Sequence, residues 1–320
     1  MTAAFVPGGP AAVRPRPRFS ARDTLLVARF ELGEALRTRL LLVMVLLFVG
    51  GGGFSAWGFS KFIAQMENVS AQALGAPGSK QAGSQLGRLR HTPMYRTLMR
   101  AVSGDEQKAA YMASLPPMVL FYAWMTLAFT PWLVLLTSAD TIAAEVASRS
   151  IRYTALRTGR LEYAVGKLIG QTVIVAAVIG LAGITFYVVS WIFMAGFAHG
   201  EMARGILSYA PLVLAHALPF VGFALFASMV MSSANAARAL ALGGMSILGI
   251  LYGLSRAEEL RTGSVSNALW DLAAYLSPFG HTDGLLYPGG AAFWTDLTIC
   301  LALTAVYFGV GFAWLRKRDL

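Results

Sequence analysis

Cysteine, histidine and charged residues are scarce in this chain of 320 residues. Its single cysteine, Cys300, stands in an apolar run, so the sequence offers neither a disulfide framework nor a cluster of thiolate ligands. The four histidines form no metal-ligand pattern or nucleophile–base set, and no G-x-x-x-x-G-K-[ST] phosphate loop occurs. We therefore expect a non-catalytic chain that holds no metal and no cofactor of its own.

Charge is also sparse overall, at 13% of residues against about 25% in soluble domains. Hydrophobic residues make up 56% of the chain, and its mean hydropathy is +0.59. The net charge of +10 is compatible with a nucleic-acid partner, but no basic face interleaved with aromatic residues is present. Membrane topology and anionic lipid headgroups explain the cations more simply. The composition therefore predicts a polytopic membrane protein with lipid partners and no nucleic acid.

The apolar runs predict six transmembrane helices in an all-α fold. A bilayer core requires about 20 apolar residues per helix, and five uncharged runs approach or exceed that length. A sixth run, Ala239–Leu254, is shorter, and Arg238 at its end would have to snorkel to the interface. The predicted spans cover residues 40–60, 117–140, 161–197, 205–231, 236–254 and 295–315.

The N-terminal region divides into a tail and a helix. Residues 1–19 are rich in proline, glycine and alanine and predict a disordered basic tail, followed by one transmembrane domain over residues 20–320. Ser20 and Asp23 indicate a helix N-cap with an acidic first turn. From Ala21 to Arg39, apolar and charged residues alternate at helical spacing, which predicts an amphipathic helix in the cytoplasmic membrane interface.

Lysine and arginine positions predict the orientation. With the N-terminus inside, 16 of the 26 basic residues are cytoplasmic. Of the remaining ten, seven lie in residues 58–117, a segment near the length at which translocation largely ignores charge. We therefore predict that both termini are cytoplasmic.

Two segments are predicted to lie on the extracytoplasmic side of the membrane. The first, an extracytoplasmic insertion at residues 61–116, includes a capping-box pattern in which Ser103 and Glu106 open a short helix. The second, Ser255–Phe293, carries an apolar-aromatic piece at Ala268–Leu276. That piece fits either a re-entrant or interfacial helix pair or an ordinary amphipathic loop.

His216 is the one ionisable residue deep in a predicted span, and it is flanked by Pro211 and Pro219. An intramembrane ionisable group is by default a candidate polar functional site. The alternative is a histidine that is satisfied by a backbone carbonyl freed at the neighbouring prolines. Elsewhere, the spacing of Gly166 and Gly170 permits close helix approach.

The segment Ser138–Gly170 lies between two apolar runs and holds five cations against three acidic residues. Span two is expected to continue to about Ala147, and Leu161 begins the next helix. Between them, Ser150–Leu156 has a small apolar face, and Gly159 fits a helix stop at positive φ. If a partner displaced a short helix that is joined rigidly to two spans, both spans would move with it. The alternative is a basic loop that serves topology alone.

This segment resembles the region between the second and third spans of ABC-2-type permeases, the membrane subunits of ABC exporters. In that family an acidic residue, a coupling helix, a basic residue and a Gly-Lys pair follow one another, and Glu145, Ser150–Leu156, Arg160 and Gly166-Lys167 occupy those positions. The family often has glycine at the start of the coupling helix and proline just after it, where this chain has serine and arginine. The interface helix, six spans and a basic C-terminal end are also shared.

The resemblance implies the transmembrane subunit of an ATP-driven exporter in the bacterial cytoplasmic membrane. It implies two permease copies, identical or paired with a homologue, and two ABC ATPase subunits that bind the ATP. The alternative is a membrane scaffold or assembly component that transmits ATPase motion to an extracytoplasmic protein without conventional cargo. An intramembrane enzyme lacks the necessary polar residues. The implied ATPase-coupling residues are Glu145, Arg149, Ser150, Ile151, Arg152, Leu156, Arg157 and Arg160.

Overall fold

Helices are the only regular elements in the described residues of the computed structural model, so the predicted all-α class is confirmed. The structure describes residues 19–37, 42–43, 45–73, 93–194, 198–256 and 264–318; the predicted tail lies outside them, apart from Phe19. In chain order the helices are α1 (Ala21–Arg37), α2 (Gly52–Ala73), α3 (Pro93–Ser103), α4 (Glu106–Ser114), α5 (Pro117–Ser138), α6 (Thr141–Ala147), α7 (Ile151–Thr158), α8 (Arg160–Phe193), α9 (His199–Val230), α10 (Ala234–Ser255), α11 (Ser264–Leu276), α12 (Thr282–Leu285) and α13 (Ala292–Lys317).

Five helical segments of the described chain are long and apolar enough to cross a membrane. They are α5 continued by α6, α8, α9, α10 and α13, and they correspond to five of the six predicted spans. Of the first predicted span, residues 40, 41 and 44 lie outside the described part. Its described remainder is a π-helical turn at Leu46–Gly51 followed by α2, which continues to Ala73, beyond the predicted end at residue 60. The chain is clearly multi-pass, and the first predicted span, at residues 40–60, stays a prediction.

α9 is the central helix of the described bundle and packs against α5, α8, α10 and α13. Glycines allow the closest of these approaches. A Cβ on Gly222 would lie 2.9 Å from the carbonyl oxygen of Thr304, and one on Gly311 would lie 2.8 Å from the Cα of Phe226. Such close packing matters because apolar burial alone drives little association between helices in lipid.

The segment before α13 folds back into the bundle. It consists of α11, a 3-10 turn at Pro278–His281, and α12. At its tip the Phe279 ring lies 5.1 Å from the Phe220 ring of α9 and 6.2 Å from the Trp132 ring of α5, centroid to centroid. The Tyr307 hydroxyl of α13 donates to the Leu276 carbonyl at 2.7 Å. These contacts favour the predicted re-entrant or interfacial helix pair over an ordinary loop.

The short helix predicted after Ser103 is α4, but its N-cap is a different residue. Asp105 Oδ1 accepts the backbone N–H groups of Gln107 at 2.7 Å and Lys108 at 3.0 Å. These bonds, that from Lys108 first, lower the pKa of Asp105. The Ser103 hydroxyl instead donates to the Asp105 carbonyl. The predicted serine cap is therefore wrong, because an aspartate directly before the first turn is better placed for the free N–H groups.

α1 forms where the amphipathic helix was predicted, and it packs lengthwise along the start of α8. The contacts advance in the same direction along both helices: a Cβ on Gly166 would lie 2.6 Å from the Cβ of Val27, and one on Gly170 would lie 2.8 Å from the Cβ of Glu31. The glycine spacing thus serves packing within the chain. The buried stripe of α1 consists of Thr24, Val27, Ala28 and Glu31.

Candidate coupling site

The connection between α5 and α8 consists of the two short helices α6 and α7. α7 begins one residue later than predicted and ends two residues later, at Thr158. Gly159 follows with φ +89°, so the predicted helix stop at positive φ is confirmed. Before α7, Arg149 also has positive φ, at +60°, which few residues other than glycine adopt. Sharp turns therefore fix both ends of α7.

α6 is anchored to helices that follow much later in the chain. The Ser228 hydroxyl oxygen of α9 accepts the backbone N–H groups of Ile142 and Ala143, both at 2.9 Å, and so caps the start of α6. Just before α6, Asp140 forms a salt bridge with Arg238 of α10 at 2.6 Å. The connection is consequently held by α9 and α10 as well as by its own flanking helices.

One face of α7 is exposed and cationic. Arg149, Arg152 and Arg157 are exposed, and Tyr153 between them has 78% of its surface accessible. Ile151 is 1% accessible and packs into the main core. The structure thus brings three of the predicted arginines to one surface, adds a tyrosine, and gives Ile151 an anchoring position. We call Arg149, Arg152, Tyr153 and Arg157 the α7 face.

The remaining predicted residues of the turn contribute less to this surface. Ser150 is exposed, with its hydroxyl 3.0 Å from that of Ser148 and 3.4 Å from the Glu145 carbonyl oxygen, which it reaches as a donor. Leu156 lies in α7, but its side chain is outside what the structure describes. Neither residue therefore adds a defined contact to the α7 face.

Arg160 is bound to the end of the last helix. Its Nη1 donates to the carbonyl oxygens of Arg316 at 2.6 Å, Arg318 at 3.1 Å and Leu315 at 3.3 Å. The Leu315 carbonyl also accepts the backbone N–H of Arg318, and a cation favours this end of the helix dipole. In the described structure Arg160 therefore tethers α13 to the start of α8.

Glu145 points inward rather than toward the α7 face. Its Oε2 accepts the Tyr163 hydroxyl proton at 2.9 Å, and its Oε1 lies 2.5 Å from the Lys167 ammonium nitrogen. Lys167 also pairs with Glu31 Oε2 of α1. The exposed fractions of the Lys167, Glu31 and Glu145 side chains are 3%, 6% and 16%. One buried ammonium thus lies against two carboxylates from different helices.

Further hydrogen bonds extend this ion cluster. Gln171 Nε2 donates to Glu31 Oε1 at 2.6 Å, and the Ser138 hydroxyl donates to Gln171 Oε1 at 2.8 Å. α1, α5, α6 and α8 therefore meet in one polar network. Sequence reasoning missed it, although Glu31 stands at helical spacing from the small and apolar residues of the buried stripe on α1. The position of Glu31 in this stripe could have indicated that its carboxylate is buried and paired.

A cavity of about 430 Å³ adjoins the ion cluster. Glu31, Glu34 and Glu145 offer carboxylate oxygens that all lie within 4.8 Å of one another, a spacing that suits a bound cation. Lys167 already supplies positive charge against two of these three groups. Other residues that line the cavity include Thr137, Thr141, Ser148 and Ser150.

His216 is buried in α9, with 1% of its surface accessible. Its ring lies edge-on to that of Phe220, 5.3 Å between centroids. Its Nδ1 has no hydrogen-bond partner among the described residues, and both alternatives for this histidine stay predictions. The structure places no ion pair on His216 within the described part of the chain. It therefore stays a candidate polar site apart from the ion cluster.

Comparison with known proteins supplies the family. The model of the ABC-2 family transporter protein matches residues 25–320, which include every helix discussed above apart from the start of α1. No curated protein matches the chain. A family match over this length, together with five described helices suited to crossing a membrane, shows that the chain is a multi-pass membrane protein of the ABC-2 transporter family, whose members work with an ABC ATPase.

Proposed function

We propose that this chain is the permease subunit of an ATP-driven exporter and that a separate ABC ATPase docks on the α7 face. The observation that carries the proposal is the exposed tyrosine among three exposed arginines, on α7 and in the turn before it, with a residue of positive φ on each side of the helix. Arginine and tyrosine are enriched among the residues that dominate interface energetics. The complementary groove on the ATPase would be acidic and would hold the ring of Tyr153.

A displacement of α7 would reach the bundle by a first route through α6. The start of α6 is bound by Ser228 of α9, and the residue before it is bound by Arg238 of α10. Because these bonds join α6 to two other helices, α6 cannot shift without disturbing both. This is a contiguous physical route from the α7 face to α9 and α10.

A second route runs through the ion cluster. Glu145 on α6 is joined by Lys167 of α8 to Glu31 on α1. α1 precedes the first predicted span, so movement of α6 would be passed to the N-terminal half of the bundle. The two routes together link α7 to helices from both halves of the chain.

The same geometry supports the proposed topology. The Ser20 backbone N–H donates to Glu162 near the start of α8, and Arg160 at that start binds Arg316 near the end of α13. Both ends of the described chain therefore lie at the end of the bundle that carries α7. If the ATPase is cytoplasmic, both termini are as well. We further propose two permease copies and two ATPases, which bind the ATP, in the bacterial inner membrane.

The alternative function is a scaffold that transmits ATPase motion to an extracytoplasmic protein. Two contacts of Tyr111 support this alternative. Tyr111 of α4 packs edge-on against Tyr287, 5.1 Å between centroids, and its hydroxyl lies 3.4 Å from that of Tyr209. The outer helices are thus tied to the segment before α13. Deleting residues 73–101 distinguishes the two functions. If the variant no longer binds the extracytoplasmic partner but retains ATP-coupled transport, this region is a docking site for that partner.

Quantitative copurification tests the main proposal. Tagged wild-type chain is isolated from its native membranes, and the ratio of ABC ATPase to permease is measured by mass spectrometry. The ratio of ATPase to permease should be at least about tenfold lower for R149E/R152E/Y153A/R157E than for wild type, since the variant removes the dominant contact residues. R96E/R100E/R204E, which reverses the charge of three exposed arginines away from α7, is the matched control. An unchanged ATPase ratio in the α7 variant would overturn the proposed docking surface.

A further inference from the structure

Both ring nitrogens of His281, at the end of the 3-10 turn before α12, contact acceptor atoms. Nδ1 lies 2.9 Å from Oδ1 of Asp296 in α13, and Nε2 lies 3.2 Å from the backbone carbonyl oxygen of Tyr275 in α11. The side chains of His281 and Asp296 are only 5% and 16% exposed. The imidazole therefore joins the end of α11 to the start of α13 in a site that is largely shielded from water.

The two contacts of His281 require two protons. A backbone carbonyl oxygen can only accept, so Nε2 must carry a proton to bond to Tyr275. A second proton must lie between Nδ1 and Asp296 Oδ1, whether the nitrogen or the carboxyl oxygen holds it. A neutral imidazole beside an ionised carboxylate has only one of these two protons. One of the two contacts would then bring lone pairs together without a hydrogen bond, which is unfavourable in a buried site.

Close packing leaves this site little room to adjust. A Cβ on Gly284 of α12 would overlap Asp296 Oδ2, so the carboxylate lies directly against the backbone of α12. A Cβ on Gly280 would lie 2.7 Å from the Ala274 carbonyl oxygen, so the 3-10 turn lies equally close to the backbone of α11. A repulsive contact at His281 is therefore relieved by movement of the segment relative to α13 rather than by rotation of one side chain.

Other titratable and charged groups lie on the helices that pack against the 3-10 turn. They are His216 of α9, Tyr252 and Arg256 of α10, Asp271 and Tyr275 of α11, Asp283 of α12, and Cys300 and Tyr307 of α13. His216 interacts electrostatically with His281. Asp283 pairs with Arg256 at 3.8 Å, and these side chains are 62% and 68% exposed. Asp296 is the group that is hydrogen-bonded to the His281 ring, so the extra proton is shared between these two residues.

We propose that His281 and Asp296 form a proton-dependent latch that holds α11 and α12 on the start of α13. With the extra proton bound, both contacts of His281 form and the latch is closed. As the pH rises and the proton leaves, one contact becomes repulsive and the segment is released. Histidine is the side chain that titrates between about pH 5 and 8, so the latch responds to pH in that range.

The latch lies at the end of the bundle opposite α7. Arg160, at the start of α8, binds the carbonyl oxygen of Arg316 near the end of α13. Asp296 is in the second turn of α13, and at 1.5 Å per residue it lies about 30 Å from Arg316 along the helix. The latch therefore acts far from the proposed docking surface, and neither the latch nor its test requires the ATPase.

Cysteine accessibility in the purified chain tests the latch across pH. Leu285 of α12 is fully buried, so C300A/L285C places a single thiol beneath the segment. Trp294 of α13 is 71% exposed, and C300A/W294C gives a reference rate at each pH, because the reactive thiolate fraction itself rises with pH. The ratio of the maleimide labelling rate of L285C to that of W294C should rise several-fold between pH 5.5 and 8.5.

Substitutions added to C300A/L285C separate proton binding from a static ion pair. D296N replaces a carboxylate oxygen by an amide donor, so a neutral imidazole can make both contacts and the ratio should stay low at both pH values. H281Q has one terminal amide in place of two separated ring nitrogens, and its ratio should be high at both. H199Q is the matched control, because it removes an exposed histidine that contacts the Tyr187 hydroxyl, and it should follow the C300A/L285C chain.

A labelling ratio that does not change with pH in the C300A/L285C chain would overturn the proposal. A high ratio in D296N at pH 5.5 would also overturn it, because a static ion pair would then hold the segment. Loss of the pH response in H199Q would assign the response to His199 instead. Circular dichroism at each pH shows which variants are folded, and if H281Q is unfolded, the C300A/L285C chain and D296N decide the question.

Discussion

Lys167 and Glu145 form an ion pair at 2.5 Å that joins the start of α8 to α6, and Lys167 simultaneously holds Glu31 of α1. The cluster contains one ammonium and two carboxylates in a largely buried site. Its integrity therefore depends on the lysine more than on either carboxylate. Removing a carboxylate leaves a balanced pair, whereas removing the lysine leaves two buried like charges.

Replacing Lys167 by methionine should therefore be strongly destabilising. K167M retains an unbranched side chain that is one atom shorter and removes the charge, and we expect a loss of about 3–5 kcal/mol in the free energy of unfolding. Unfolding in an SDS titration measures it. The triple variant E31Q/K167M/E145Q removes all three charges and should recover a large part of the loss. Equal stabilities of K167M and wild type would show that the cluster does not hold these helices together.

Glu145 should affect transmission without affecting docking. E145Q retains an acceptor for Tyr163 but weakens the link to Lys167, and its side chain lies away from the α7 face. We expect the ATPase to copurify at the wild-type ratio while the ATP-driven change in the permease is reduced, because the route through Ser228 and Arg238 remains. Copurification is measured as for the α7 variants. Loss of the ATPase in E145Q would place Glu145 at the docking surface, as the sequence alone suggested.

Close approach of α1 and α8 should depend on Gly166. A Cβ there would lie 2.6 Å from the Val27 Cβ and 2.8 Å from the Thr24 carbonyl oxygen, so G166A forces the helices apart. Overpacking of this kind costs about 1–3 kcal/mol. Gly180 in the same helix has no atom within 4 Å of an added Cβ, and G180A is the matched control. SDS titration should separate the two variants; equal stability would argue against the observed α1–α8 packing.

The cap that Ser228 places on α6 gives another test. S228A leaves the N–H groups of Ile142 and Ala143 without their acceptor, and we expect a cost of about 1–2 kcal/mol. Ser208 in the same helix is exposed, and its hydroxyl donates only to the Arg204 carbonyl one turn earlier. S208A should therefore change stability by less than about 0.5 kcal/mol. Matching losses in the two variants would contradict a capping role.

Much of the architecture follows from hydropathy alone. Apolar runs near bilayer length located five helices that the structure describes as candidate spans, and a glycine after a short amphipathic stretch located the end of α7. These features are local, because length, periodicity and positive φ are properties of neighbouring residues. The α4 helix was located for the same reason, but its cap was not, since Ser103 and Asp105 both suit that position.

The partners of Glu145 and Arg160 were not predictable in this way. Both were expected at the ATPase surface because the family resemblance implied coupling residues there. Their partners are Lys167 and the end of α13, which only tertiary packing brings near. Glu31 was placed on the polar side of an interface helix, whereas the glycines of α8 draw it into the bundle. Local sequence patterns do not predict charge pairing between segments that are distant in the chain.

The accessibility of residue 277 most directly tests the central claim, that movement at α7 reaches the bundle through the contacts of α6 with α9 and through the ion cluster. Ser277 is fully buried beside the turn at Pro278–His281, and in C300A/S277C residue 277 is the one cysteine of the sequence. In the permease–ATPase complex, ATP should raise the labelling rate of this cysteine by a membrane-impermeant maleimide several-fold. Adding E145Q together with S228A, which interrupts both routes, should abolish the increase while the ATPase stays bound. An ATP-dependent increase of wild-type size in the E145Q/S228A complex would contradict the account.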